Sequence, residues 1–285
     1  VAELKSRFNL HGKELLEEAQ RVVRWHYQWV VIQDFVRRLV SGNILSSKLP
    51  TANQGVMTEG VNLSFFKWKH KVFMPIEFSA AAYRLGHSMV RNKYLLNDNL
   101  GTEIPIFSTT GQDLRGFRKL PANHTVQWDK FLEFPNVDNS GLQFSRKLDT
   151  KLSRALGALP IAGNNPLAEL NLIRGFRMQL PSGQDVAKKM GIMPNNANNH
   201  DPLWFYILDE AEQDQNGENL GTLGAHLIAE VFVGLLAADP SSYLNVNPKW
   251  TPFNETRFPI PYHNGIFLLR DIVDYAEMPI TQADL

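Results

Sequence analysis

The run from Leu223 to Ala238 is apolar on nearly every face of a helix, interrupted only by His226 and Glu230. A helix without a polar stripe cannot lie on a protein surface, so other elements must enclose it on all sides. It is also too short and too interrupted to cross a bilayer, which needs about 20 apolar residues. The enclosing elements read as helices as well. From Glu14 to Val40 the apolar residues Leu15, Ala19, Val22, Val23, Trp29, Val30, Phe35 and Leu39 recur at helical spacing, and Gly42 stops the run. Further helices are expected at Leu167 to Gly175, at Pro181 to Met190 with Ser182 and Asp185 at capping-box spacing, and at Leu203 to Glu212 with Asp201 as N-cap and Pro202 in the first turn. Shorter ones are expected near Trp128 to Phe134 and Lys147 to Leu156. The stretch from Asn97 to Pro135, rich in Gly, Pro and Asp, reads as a long irregular connection. Strand signals are weak throughout. The expected fold class is mainly α, with long irregular loops and little or no β structure.

Composition narrows the function classes. The 285 residues include 44% hydrophobic and 20% charged, the values of an ordinary globular chain of one large or two small domains. Lys plus Arg and Asp plus Glu both number 29, which leaves no electrostatic footprint for nucleic acid or an anionic membrane. With no cysteine there is no disulfide framework, thiolate nucleophile or Cys-ligated zinc, so redox chemistry must come from a cofactor. No secretory signal is visible. The opening Val1-Ala-Glu-Leu-Lys reads as helix interior and suggests a fragment or a processed product.

The segment Phe73 to Tyr94 carries the candidate chemistry. A helix is expected from about Glu77 to about Leu95. On it Phe78, Ala82, Leu85 and Met89 share one stripe, and Ala80, Arg84, His87 and Arg91 another. The second stripe offers an imidazole to a metal, with a guanidinium one turn away for an acidic group. On periodicity alone a hydrogen-bonded core or surface histidine is a commoner case than a metal ligand. Other features carry less. His26 reads as packing, His200 as a loop residue beside an N-cap, and His226 as a buried helix residue with a local partner. Gly217, Gly221 and Gly224 lack the strand and the Gly-Lys-Ser/Thr of a phosphate loop. Sequons at Asn62, Asn123 and Asn254 matter only in a secreted protein.

The words of the His87 segment resemble the proximal-histidine helix of the animal-type haem peroxidases, the peroxidase–cyclooxygenase superfamily, in its bacterial branch. Glu17-Glu-Ala-Gln-Arg-Val-Val-Arg-Trp-His-Tyr-Gln28, Asn171-Leu-Ile-Arg-Gly175, Leu180-Pro-Ser-Gly-Gln184, Pro202-Leu-Trp-Phe-Tyr-Ile-Leu-Asp-Glu-Ala211 and Leu220-Gly-Thr-Leu-Gly-Ala-His-Leu-Ile-Ala-Glu-Val231 resemble the same family in the family's order. The resemblance implies a single α-helical domain over 1–285, a C-terminal portion carrying the proximal wall of a haem site. His87 is then the proximal iron ligand through Nε2, and Asn171 accepts a hydrogen bond from the other ring nitrogen through its side-chain carbonyl. Arg174, and Arg84 from the ligand helix, lie at the haem propionates. Asn171 and Arg84 are thus the candidate catalytic residues. His87, Asn171, Arg84 and Arg174 are the candidate cofactor-binding residues, and His87 is the metal ligand.

The implied activity is reduction of hydrogen peroxide with oxidation of a halide or a phenolic donor. The family's distal histidine, glutamine, arginine and calcium loop lie upstream of the region resembled here, and no Asp-His-Asp motif occurs in this chain. The fragment alone is therefore expected to be poorly active, and calcium to belong to the full-length protein. Two alternatives remain open. A fatty-acid dioxygenase or cyclooxygenase would carry a radical-forming tyrosine three residues before the proximal histidine, where this chain has Arg84, with Tyr83 one place off. A non-catalytic haem-binding or adhesion module would keep only the scaffold.

Overall fold

The computed structural model describes residues 2–51, 55–57, 59–66, 72–109, 111–160, 163 and 165–280. Its helices are α1 (Ala2–Phe8), α2 (Gly12–Val30), α3 (Arg37–Leu39), α4 (Gly42–Lys48), α5 (Ile76–Ala80), α6 (Gly86–Met89), α7 (Leu167–Arg177), α8 (Gly183–Lys189), α9 (Leu203–Gln215), α10 (Thr222–Ala238), α11 (Tyr243–Val246) and α12 (Leu269–Tyr275). The strands are β1 (Lys93–Tyr94) and β2 (Ile104–Pro105), antiparallel, with Lys93 opposite Pro105 and Tyr94 opposite Ile104. The fold is mainly α. The chain divides into two compact units, residues 1–74 with 228–275 and residues 75–227 with 276–285.

In the first unit the expected helix over 14–40 is α2 and α3 joined by a π-helical segment, Val31–Val36. A π turn takes in one extra residue, and the buried residues Val22, Trp25, Trp29, Ile32, Val36 and Leu39 keep a spacing of three and four through it. Trp25 and Trp29 meet Trp250 at ring-centroid distances of 5.2 and 6.2 Å, and Tyr243 meets Trp250 at 5.4 Å. Gly55, at φ +72°, lies so close to this cluster that a Cβ would sit 2.3 Å from Trp29 Cη2. Only glycine fits there.

The apolar residues Ile228, Ala229, Val231, Val233 and Leu236 of α10 are buried, as its all-round apolar pattern requires. The one acid among them, Glu230, is buried too. Its carboxylate accepts from Lys48 Nζ at 2.7 Å and from the backbone N–H groups of Ser64, Phe65 and Phe66 at 2.9–3.0 Å. A lone buried carboxylate would be strongly unfavourable, and this set of donors offsets that.

In the second unit α9 is the central element. Leu203, Ile207, Leu208 and Ala211 are buried, and α9 packs against α7 and α8. Glu210 accepts from the N–H groups of Leu223 and Gly224 at 2.9 and 3.2 Å, and so satisfies the open donors at the start of α10. The approach is tight: a Cβ on Gly221 would lie 2.3 Å from Glu210 Cγ. That close approach, rather than a phosphate, is what these glycines accommodate. Ser182 caps α8 as expected, accepting from Asp185 N at 3.1 Å. The expectation for Asp201 is corrected. Pro202 holds the N-cap position of α9 without a side-chain bond, and the Asp201 carboxylate accepts from Gln184 Nε2 at 2.6 Å. Gln184 is fully buried, and its amide takes the carboxylate that would otherwise have capped the helix. Of the two shorter helices expected, each region holds a 3-10 turn, at Trp128–Lys130 and Arg154–Gly157. The long connection over 97–135 is pinned from inside by Asp113. Burial opposes its charge, yet bonds from Ser108 N, Arg115 N and Arg115 Nε keep its pKa below the usual carboxylate value.

Glu255 supplies a stability test in the first unit. It accepts from Arg21 Nη1 and Trp250 Nε1 at 2.9 Å and from Arg257 N at 2.8 Å. Burial alone would raise its pKa, but these partners bring it down to about 2 from an ordinary 4.5. A carboxylate lowered in the folded state stabilises fully above pH 4.5 and loses that contribution as pH falls toward 2. Replacing Glu255 by Gln should cost about 3 kcal/mol at neutral pH and flatten the dependence of urea midpoint on pH between 4.5 and 2. An unchanged slope would show that the network contributes nothing.

Candidate functional site

His87 sits on a broken helix. The helix expected over 77–95 stops at Ala80, where Ala81 takes φ −133° and ψ −73°. It resumes as a 3-10 turn at Ala82–Arg84, and α6 then ends at Val90 in extended backbone. The turn after Arg84 is tightened by a tertiary contact. Trp204 Nε1 from α9 donates to the Arg84 carbonyl at 3.3 Å, and Ser88 N bonds instead to Leu85 O in the tighter i to i+3 pattern. The two stripes differ only in part, since Met89 of the first is half-buried and Ala80 of the second is buried. Phe78, Ala82 and Leu85 are buried, while Arg84, His87 and Arg91 are half-buried.

Asn171 of α7 joins the candidate residues. It has no exposed surface, and its amide meets His87 at one end and Arg84 at the other. Its Nδ2 lies 2.9 Å from His87 Nδ1, and its Oδ1 accepts from Arg84 Nη1 at 3.0 Å. This reverses the orientation expected for Asn171, in which the carbonyl faces the ring. The reason is the guanidinium: Arg84 carries only donors, so the oxygen must turn toward it and the amide nitrogen is left for the imidazole. Neither the Arg84 bond nor the Trp204 contact was anticipated. A guanidinium three residues before a histidine was the available signal for the first, and a tryptophan reaching across from another helix leaves none.

Burial first, and then the Arg84 charge, hold the His87 pKa below its ordinary value. The ring is therefore neutral at pH 7. His87 Nε2 has no hydrogen-bond partner among the described residues. Arg174 lies exposed one turn beyond Asn171 on α7. Burial first, and then the charge of Arg174, lower the pKa of Arg84, so the two guanidiniums are close enough to repel. No carboxylate pairs with either among the described residues. The arrangement is a neutral imidazole with one nitrogen held and the other open, beside two cations that lack an anion.

The remaining candidates stand apart. Tyr83 is exposed and stacks on Phe78 with centroids 4.9 Å apart and 10° between planes. His26 is buried, and its Nδ1 lies 2.7 Å from Val22 O, consistent with packing. His200 is exposed, with Nδ1 3.8 Å from Asp185, and His226 is half-buried on α10. Among the described residues no three His, Cys, Asp or Glu side chains come together to hold a metal ion. No helix among them is long and apolar enough to cross a membrane.

Replacing Asn171 by Leu would strand His87 Nδ1 and Arg84 Nη1 without partners. A loss of about 1–3 kcal/mol in chemical denaturation is expected, the cost of unpaired buried polar groups. Unaltered stability would mean that the amide bonds to neither.

No protein-family model matches the chain, and no curated protein matches it in sequence. Among solved structures it is similar to peroxidase A from Dictyostelium discoideum, with a TM-score of 0.59 and 16% sequence identity, over 99% of this chain and 53% of that one. The chain thus has the fold of part of that peroxidase and spans about half its length.

Proposed function

We propose that this chain forms the proximal side of a haem peroxidase site, with His87 as the iron ligand through Nε2. The observation that carries this reading is the imidazole itself, neutral, without a hydrogen-bond partner at Nε2 among the described residues and in contact at Nδ1 with a fully buried amide. A ligating histidine needs an acceptor at its second nitrogen, and the carbonyl end of this same amide would supply one when turned to the ring. With no cluster of three ligating side chains among the described residues, a single imidazole suits a metal that brings its other ligands with it, as iron in a porphyrin does. The unpaired guanidiniums of Arg84 and Arg174 suit the two carboxylates of that cofactor. The likeness in fold to a peroxidase supports the same reading.

When bound, haem would supply the iron that reduces hydrogen peroxide at the expense of a halide or phenolic donor. The chain's own groups have narrower tasks. His87 holds the iron from one side, Asn171 fixes the ring and sets its basicity, and Arg84 with Arg174 orients the porphyrin edge. An amide partner leaves the ring less anionic than a carboxylate would, which favours a more oxidising iron. Heterolysis of peroxide also needs a base on the opposite side. That base, and any calcium, belong on this reading to a part of the protein outside these 285 residues.

Two measurements test the proposal. Haem added to the protein should give, after reduction, the spectrum of five-coordinate histidine-ligated ferrous iron, and His87→Ala should abolish it. Persistence of that spectrum in the variant would remove His87 from the site. Guaiacol oxidation by residues 1–285 should fall at least tenfold below that of a longer protein carrying the opposite wall, since a positioned base contributes about 10²–10⁴-fold. Equal rates would place the base within this chain.

A further inference from the structure

We propose that Arg84 decides which nitrogen of His87 carries the proton, and that a carboxylate capturing its guanidinium frees the Asn171 amide to turn and open Nε2 for iron. The second half of this rests on the haem reading above. The first half concerns the protein without cofactor and stands on geometry alone.

The Asn171 amide has one accepting end and one donating end. Arg84 has five N–H groups and no acceptor, so the atom 3.0 Å from its Nη1 is Oδ1. The NH₂ group therefore faces His87 Nδ1 at 2.9 Å, and an NH₂ group only donates. Nδ1 must then present its lone pair, and in the neutral ring the proton sits on Nε2. In that state Nε2 cannot bind a metal. Ligation requires the proton to leave Nε2 and Nδ1 to take one up, with no net change, and Nδ1–H then needs an acceptor. Asn171 supplies it only by turning its amide through half a turn. With Arg84 in place, that turn would set Nδ2 against Nη1, two donors face to face beside a side chain with no exposed surface.

Arg84 is well placed to leave. Its other bond, Nε to Ser79 O, is long at 3.4 Å. It has no carboxylate partner among the described residues, and the neighbouring Arg174 repels it. A carboxylate set between the two cations would bind both more strongly than a neutral amide oxygen binds one. Anion capture at Arg84 and metal capture at His87 are thereby coupled, and the coupling is reciprocal. The cofactor that carries both a metal and carboxylates meets the two demands together.

Side-chain ¹⁵N NMR of the haem-free protein reads the tautomer directly. His87 should show a lone-pair Nδ1 and a protonated Nε2. Arg84→Lys, which keeps a donor, should preserve that state, whereas Arg84→Leu should shift it toward Nδ1–H. A protonated Nδ1 in the unsubstituted protein, or the same tautomer in all three, overturns the proposal. Reconstitution with haem and with haem dimethyl ester, whose carboxylates are blocked, tests the coupling. Haem should become histidine-ligated in the ferrous spectrum. The ester should be ligated at least tenfold less well in the unsubstituted protein, a middling coupling, and should regain ligation in Arg84→Leu. Asn171→Asp gives a second route that leaves Arg84 intact, because a carboxylate accepts from both neighbours at once; it should ligate the ester without any change at Arg84. Equal ligation of haem and ester in the unsubstituted protein overturns the coupling. Failure of every porphyrin to ligate overturns the haem reading and the coupling together, while the tautomer result stands apart and still decides the role of Arg84.

Discussion

A buried amide with two obligations governs this site. Asn171 cannot leave either end unpaired without losing on the order of 1–3 kcal/mol, because no water reaches it. One side chain therefore fixes two others, His87 and Arg84, that stand more than eighty residues away in sequence. The position of Asn171 is itself set by α7 packing on α9, and α9 also sends Trp204 to the carbonyl of Arg84. The imidazole is held by neighbours on two helices and owes little to the short turn that carries it. That explains how a four-residue helix can present a defined histidine when it would not be stable alone.

A related device recurs in three segments that lack regular structure. Glu230 gathers the N–H groups of Ser64, Phe65 and Phe66, Asp113 those of Ser108 and Arg115, and Glu255 that of Arg257. In each case an acid that is buried or nearly so takes up backbone donors that a sheet would otherwise have satisfied. Such acids are costly when unpaired and strongly bound when paired, so each ties a loop to one place. A mainly helical chain with long connections obtains ordered loops in this way.

What could be read in advance follows the range of the forces involved. The helices α2, α7, α8, α9 and α10 were legible from period and composition, because an amphipathic or all-round apolar stripe depends only on residues within a few turns. Ser182 was legible as a cap for the same reason. The tightened turn after Arg84, the diversion of Asp201 to Gln184 and the turning of Asn171 toward Arg84 were not. Each is decided by a side chain from a distant segment, respectively Trp204, Gln184 and Arg84, whose approach leaves no local pattern. At the candidate site the pattern indicated which residue types stand near His87, and it could not indicate which way a symmetric-looking amide would face.

The orientation of that amide also bears on what the chain can do by itself. On the proposed haem reading, with Nδ1 bonded to Asn171 and Nε2 given to a metal, His87 would have no nitrogen left with which to accept a proton from peroxide. Arg84 and Arg174 are donors at any physiological pH and cannot accept one either. Among the described residues the charged or hydrogen-bonded neighbours of His87 are Arg84 and Asn171, neither of them a base. The groups gathered around this imidazole can hold and orient a ligand but include no proton acceptor, so on the proposed reading proton transfer falls to other side chains.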